Sequence, residues 1–334
     1  MIYLDSASAA FLHPKAKEKM DEAWEIWANP SANHQLGKKN KTLLENLRKD
    51  FIEIYNVPKN ASVIFTSCAT ESNNLILNSV ILPKVKLLSH PSVICKEVFF
   101  TDLEDILSNQ PHLVSIPLIQ HETGLIFPVD KIASLVKKYN SKLHIDASQA
   151  KVVDFQKLNC DYLTISSHKI GGPIGIAAVI SKTLLTPMIN GGGQEMNMRS
   201  GTQAVPLIAG FVAAAKELQY QLSHFEKLKK VMKQKIKAEF FLEHYLDYKF
   251  VDHINCLLTQ QPGSEIVAYM DLNNVAISNG SACSSGTMEG IRCLRYFNLV
   301  PENATRISFG WNTILTEVEK FCELFNKFVD NNAA

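Results

Sequence analysis

The sequence predicts an α/β protein: a mostly parallel sheet in a large domain, followed by a smaller α/β C-terminal domain. Three observations predict it. Between residues 62 and 180, short apolar runs alternate with amphipathic segments of helical period, the pattern of a parallel sheet covered on both faces. Thr66, Thr70, Asp146 and Lys169 stand just past such runs, where open parallel sheets gather their functional groups. From Val205 onward the pattern gives way to one sustained helical period. The large domain is therefore drawn over residues 12–205 and the small one over residues 1–11 and 206–334, with a long helix from about 205 as the bridge.

In chain order, Ile2-Tyr3-Leu4 is a short strand, and the small residues Asp5-Ser6-Ala7-Ser8-Ala9-Ala10 behind it let the backbone approach a neighbour closely. Residues 14–27 carry Ala16, Met20, Ala23, Trp24 and Trp27 at helical spacing and stop at Asn29-Pro30, since a residue preceding proline disfavours the helix. Residues 29–37 form a polar loop, and a second helix runs over roughly 41–55. Residues 62–66 form a strand, with a helix beginning at Ala69. Further strands fall at residues 85–88, 112–119, 142–145, 162–165 and 175–180, with a helix over 129–139. Beyond 205, Leu207, Phe211, Leu218, Phe225, Met232 and Ile236 keep helical period as one long helix or one broken once. Its lysines, Lys227, Lys229, Lys230, Lys233, Lys235 and Lys237, read as a solvated face. A last amphipathic helix starts near Thr316, where Thr316 and Glu319 have capping-box spacing ahead of Phe321, Leu324 and Phe325.

Composition narrows the class of function. A hydrophobic content of 46% over 334 residues is enough for a large core, and a net charge of +1 gives no electrostatic reason to expect nucleic acid or a membrane surface as a direct partner. No run reaches the length of a membrane span, and the first residues lack a basic stretch leading into an apolar one, so a cytoplasmic protein is expected. Seven cysteines stand far apart without a CxxC pair, which suggests neither a disulfide framework nor a metal site.

Five stretches carry candidate chemistry. Ser166-Ser167-His168-Lys169 ends an apolar run just before Gly171-Gly172. A lysine held there and partly desolvated has a lowered pKa and can form a Schiff base with an aldehyde; the same residues also suit a plain strand-turn-strand with a surface lysine. Asp146 lies one strand-helix-strand unit earlier and could keep a pyridine nitrogen protonated, or simply cap a helix. Thr66-Ser67-Cys68-Ala69-Thr70-Glu71 sets hydroxyls and amides at a helix start, a cradle for phosphate or an ordinary cap. Gly191-Gly192-Gly193 and Arg199-Ser200-Gly201-Thr202 form a loop that could close a site or connect domains. Cys283, within Ser281-Ala282-Cys283-Ser284, is set among small polar residues, and a sulfur nucleophile needs that exposure.

Together with Tyr3-Leu4-Asp5, Asn29-Pro30-Ser31, Ala69-Thr70-Glu71-Ser72-Asn73 and His144-Ile145-Asp146-Ala147-Ser148-Gln149, these stretches resemble the cysteine desulfurases, pyridoxal-phosphate enzymes of the class-V aminotransferase group. The resemblance runs in order from residue 3 to about 310, and the cysteine loop looks like the group I branch. It implies a fold-type I architecture and pyridoxal 5'-phosphate as cofactor. Lys169 would join the cofactor aldehyde, Asp146 would meet the pyridine nitrogen, and Gln149 the ring hydroxyl. Ala69, Thr70, Ser166 and His168 would hold the phosphate, with Thr202 reaching in from the other subunit of a homodimer. His90 would stack on the ring and transfer protons, and His121 takes the place of an asparagine that contacts the ring. Arg306, with Asn29, would bind the substrate carboxylate. The implied reaction removes sulfur from L-cysteine, giving L-alanine and a persulfide on Cys283 for an acceptor protein in iron–sulfur assembly or thiolation.

The sequence departs from that pattern at Cys68, where glycine is usual, at Trp311, where an arginine is usual, and at Ala9-Ala10, which replace a threonine pair; the stretch between His90 and His121 is shortened. Two other readings remain open: a pyridoxal-phosphate lyase or aminotransferase acting on another amino acid such as selenocysteine, and a degenerate desulfurase-like binding subunit.

Overall fold

The computed structural model describes residues 1–218, 222–280 and 290–332. In chain order its elements are β1 (Ile2–Tyr3), α1 (Pro14–Trp24), α2 (Gln35–Ile54), β2 (Ser62–Thr66), α3 (Ala69–Ser79), β3 (Lys84–Lys86), β4 (Lys96–Glu97), α4 (Leu103–Asn109), β5 (Leu113–Pro117), α5 (Val129–Lys138), β6 (Lys142–Asp146), α6 (Phe155–Leu158), β7 (Tyr162–Ser166), β8 (Ala177–Ser181), α7 (Val205–Leu218), α8 (Leu222–Lys235), β9 (Ile254–Leu258), α9 (Gly263–Leu272), β10 (Val275–Ala276), β11 (Ala304–Ser308) and α10 (Leu315–Asn331). The chain divides into two compact units, one of residues 12–118 and 127–219, the other of residues 1–11, 119–126 and 220–334.

The first unit is built on a seven-stranded sheet of order β2-β8-β7-β6-β5-β3-β4. Every neighbouring pair is parallel except those made by β8, which is antiparallel to both β7 and β2. The reason is local: residues 167–176 are too few for a crossover, so the chain can only turn back on itself. A Cβ on Gly172 in that turn would collide with Ser167 Oγ, and Gly171 has φ +83°, so the turn needs both glycines. Strands β5, β7 and β8 are buried along their whole length, as strands covered on both faces are. Because β8 alone is reversed, the carboxyl ends of β2, β5, β6 and β7 share one edge, and Thr66, Asp146 and Ser166 sit along it.

Pro14 opens α1, where its missing N–H costs nothing, and His13 Nδ1 caps the turn by accepting from Lys15 N at 3.2 Å. The helical period after 205 is carried by α7 and α8, described over Val205–Leu218 and Leu222–Lys235. Helix α7 packs on α1 and α2, so residues 205–218 go with the sheet-bearing unit, whereas the sequence reading set the division at 205.

The second unit contains two-stranded sheets, β1 parallel to β10 and β9 antiparallel to β11, with α8, α9 and α10 around a core that includes Leu4, Phe225, Met232, Leu257, Ile266, Ile307, Phe321 and Phe325. The capping box expected at Thr316 and Glu319 is not formed. The helix begins one residue earlier, and Glu317 Oε2 accepts from Ile314 N at 3.0 Å. The lysines of α8 are only partly a solvated face: Lys229 is buried and pairs with Glu243 at 2.9 Å, and Lys233 pairs with the same carboxylate.

Candidate active site

The candidate site in the first unit grows from the shared carboxyl edge of the sheet. Asp146 is the last residue of β6 and is buried. Burial pushes its pKa up, but hydrogen bonds from Ser148 and Asn73 and the nearby His90 outweigh this and hold it below the ordinary carboxylate value. Asp146 Oδ1 accepts from Ser148 N and Oδ2 from Asn73 Nδ2, each at 2.9 Å. The Asn73 amide also donates to Ser92 Oγ at 2.9 Å, and Ser92 Oγ lies 2.8 Å from His90 Nδ1. Ser92 N donates to the same ring nitrogen at 3.1 Å, which places the proton of the neutral imidazole on Nε2. A carboxylate and an imidazole expected to serve the same ring are thus tied together through Asn73 and Ser92.

On the adjacent strand, Ser166 ends β7 and its Oγ is 3.3 Å from His168 Nδ1. Burial first, and then the charge of Lys169, lower the His168 pKa to about 4, so the ring is neutral at ordinary pH. Lys169 follows, partly buried. Its carbonyl accepts from Lys151 Nζ at 2.5 Å, and Lys151 is itself buried, with a pKa lowered to about 7 by desolvation and by the Lys169 charge. Gln149 is buried one turn past Asp146. Two residues before Asp146 on β6, His144 bridges Ser115 Oγ at 2.9 Å and Thr164 Oγ1 at 3.1 Å; burial lowers its pKa to about 4, so it is a neutral link across β5, β6 and β7.

Beside these strand ends, α3 begins. Cys68 is its N-cap: its backbone is extended (φ −164°), a conformation any residue adopts, and its Sγ accepts from Glu71 N at 3.4 Å. Where the resemblance calls for glycine, the sulfur therefore does capping work. Thr66 Oγ1 and Ser72 Oγ are 2.6 Å apart across the turn. Ala69 and Thr70 lie in the first turn, whose amides have no acceptor within the helix. Thr202 is exposed just past Gly201. Asn29 is also exposed, and its Oδ1 accepts from Ser31 N at 2.9 Å, so it braces its own turn.

The other expected residues belong to the second unit. Arg306 is 2% exposed; its Nη1 donates to His121 O at 3.0 Å, and its Nη2 to Asp5 Oδ1 at 2.7 Å and Ser8 Oγ at 2.9 Å. Asp5, in the small-residue run, is thus a carboxylate already on the guanidinium expected to meet a substrate carboxylate. His121 is buried. Trp311 Nε1 donates to Phe11 O at 2.8 Å. Cys283 lies outside the described residues.

Within the first unit the donors suit one kind of ligand. A buried carboxylate kept anionic calls for a cationic ring nitrogen, a lysine just past the end of the next strand can take an aldehyde carbon, and the first turn of α3 suits a phosphate. Ser148 Oγ and Ser167 Oγ, buried with no hydrogen-bond partner among the described residues, leave room for further polar contacts. The residues therefore fit a phosphorylated pyridine aldehyde. The sequence signal for Asn73 was its place in the helix interior, where asparagine is a poor helix former; Ser92 and Lys151 gave no such signal.

The family model described as aminotransferase class-V matches residues 2–98 and 95–321. A Plasmodium falciparum protein named cysteine desulfurase IscS is 31% identical over 96% of this chain, which spans 67% of that protein. An Ehrlichia chaffeensis protein of the same name is 30% identical over 95% of this chain and 88% of its own. Among solved structures, a NifS-like protein from Rickettsia africae superposes with a TM-score of 0.89 at 28% identity, covering 99% of both chains.

Proposed function

The chain belongs to the class-V aminotransferase family and, within it, to the cysteine desulfurases, and from that premise we propose how its residues carry out a pyridoxal-phosphate-dependent removal of sulfur from L-cysteine. The observation that carries the proposal is the anionic, buried Asp146 on the strand adjacent to the one that ends just before Lys169. Pyridoxal phosphate supplies an electron sink for the substrate's α-carbon when bound.

Lys169 holds the cofactor covalently, Asp146 keeps the pyridine nitrogen protonated, and Gln149 meets the ring hydroxyl. Ala69, Thr70, Ser166 and His168 bind the phosphate; neutral His168 adds no charge there and donates or accepts according to its tautomer. His90 stacks on the ring and transfers protons, and with Nδ1 accepting from Ser92 N the proton it can give is the one on Nε2. Arg306 takes the substrate carboxylate, oriented by Asp5, with Asn29 beside the substrate and His121 contributing to the ring's surroundings. Cys283 is the nucleophile. Overall, the carbon–sulfur bond of cysteine is lost, a sulfur–sulfur bond forms on Cys283, and the former thiol carbon leaves as the methyl group of L-alanine; the persulfide then passes by thiol exchange to an acceptor protein.

An acceptor in iron–sulfur assembly or thiolation, a homodimer in which the exposed Thr202 reaches the partner's phosphate, and a cytoplasmic setting complete the proposal. The six described cysteines are free, which suits a reducing compartment. No helix among the described residues is long and apolar enough to cross a membrane. A Cys283→Ala protein is expected to keep the visible absorbance of the bound cofactor and to lose sulfide release from cysteine. Sulfide production that survives the substitution would remove Cys283 from the mechanism.

A further inference from the structure

Arg199, in the glycine-rich loop, does not project from it. Its Nε donates to Glu71 Oε1 at 3.0 Å, and the pair is largely shielded from water, at 21% and 13% side-chain exposure. The other oxygen of Glu71 turns back over the start of α3: Oε2 accepts from Ser67 N at 2.8 Å and from Ser67 Oγ at 2.5 Å. One carboxylate therefore links the turn that precedes α3 to an arginine more than a hundred residues later in the chain.

The loop that delivers Arg199 is itself anchored beside the same turn. Glu195 is buried and forms a bidentate pair with Arg48, at 2.9 and 2.7 Å, and it accepts from Phe65 N, one residue before Thr66, at 2.9 Å. Gln194 Oε1 accepts from Gly201 N at 3.0 Å, and Ser200 N donates to Ile189 O at 3.0 Å. Glu195, Met196 and Asn197 all have positive φ (47°, 58° and 63°), a left-handed turn that costs free energy at each residue and persists only where its surroundings hold it. That turn ends two residues before Arg199.

An acid in the first turn is stabilised by the helix dipole, but it carries the same sign of charge as any anion bound to that turn. Uncompensated, Glu71 would repel a phosphate at Ala69 and Thr70; paired with Arg199, it can brace Ser67 without doing so. We propose that Arg199 is a positioning residue for the cofactor's phosphate, acting through Glu71 to hold the turn before α3 in its anion-binding shape and to cancel the charge of the brace. This rests on the reading that the start of α3 binds the phosphate.

The test compares pyridoxal phosphate with pyridoxal, which lacks the phosphate, on full-length protein stripped of cofactor and reloaded. The readout is the ratio of the two dissociation constants, followed by absorbance and fluorescence. Arg199→Gln should lower the preference for the phosphorylated ligand about tenfold while leaving pyridoxal affinity unchanged. Adding Glu71→Gln to that variant should restore part of the preference, because the uncompensated charge is gone. A wild-type ratio in Arg199→Gln, or equal weakening of both ligands, overturns the proposal. Should Arg199→Gln fail to fold, Arg199→Lys is read on the same ratio, where a fall of several-fold supports the assignment and no change overturns it. A wild-type protein that does not distinguish the two ligands would instead overturn the phosphate reading itself, and this inference with it.

Discussion

Replacing Lys151 with methionine should stabilise the protein by an amount that shrinks as pH rises. The Lys151 amine is buried, its hydrogen bond is to the Lys169 carbonyl, and no carboxylate among the described residues is among the charges acting on it. Desolvation, followed by the Lys169 charge, brings its pKa from 10.5 to about 7. Below pH 7 both the folded and the unfolded chain hold this proton, and the folded state bears the whole penalty. Between pH 7 and 10.5 the unfolded chain binds a proton that the folded chain does not, so wild-type stability rises with pH across this window. The gap corresponds to a penalty on the order of 5 kcal/mol at pH 6, falling to about 2 kcal/mol at pH 9. Methionine removes the penalty, keeps most of the stem's packing, and loses a hydrogen bond of about 1 kcal/mol. The expected gain is therefore about 4 kcal/mol at pH 6 and about 1 kcal/mol at pH 9. Urea unfolding of both proteins at matched cofactor occupancy, at pH 6, 7.5 and 9, measures it. A stability difference that stays flat across that range, or grows with pH, would refute the reasoning.

Glu195→Ala should cost about 3 to 5 kcal/mol, because it takes from Arg48, only 12% exposed, its bidentate carboxylate at a buried site; thermal unfolding with Arg48→Met as the compensating change checks it. Asp146 contributes stability that is present above its unfolded pKa of 3.8 and is lost as pH falls through its lower folded value. Asp146→Asn should therefore flatten the acid limb of the stability profile between pH 5 and 2, and it should lower desulfuration by about 100-fold or more while Lys169 still takes up the cofactor. Arg306→Lys keeps the charge but gives up the planar fork shared among His121 O, Asp5 and Ser8, and should raise the KM for cysteine about tenfold with a smaller change in kcat.

Much of the candidate edge is legible in the sequence. Short continuous apolar runs alternating with amphipathic helices announced the sheet. Asp146 and Lys169 stand one strand-helix-strand unit apart, and the strand that Asp146 ends pairs with the strand that precedes Lys169. The reversal of β8 followed from a connection too short to cross over. Each of these follows from local patterns read over a few residues. Cap details were less legible: Cys68 caps α3 through sulfur, and Glu317 rather than Glu319 reaches back at α10, because a shift of one or two residues in a helix start reassigns the partners.

By itself, then, the order of residues determined the alternation of strands and helices, the family, and the strand ends where the candidate residues gather. Only the tertiary structure decided how the charges at those ends are compensated: Asn73 and Ser92 joining Asp146 to His90, Arg199 balancing Glu71, Arg48 balancing Glu195, and Lys151 set against Lys169. Backbone period is set by neighbours in sequence, whereas pairing and desolvation depend on distances in space between segments many residues apart, which no local pattern encodes.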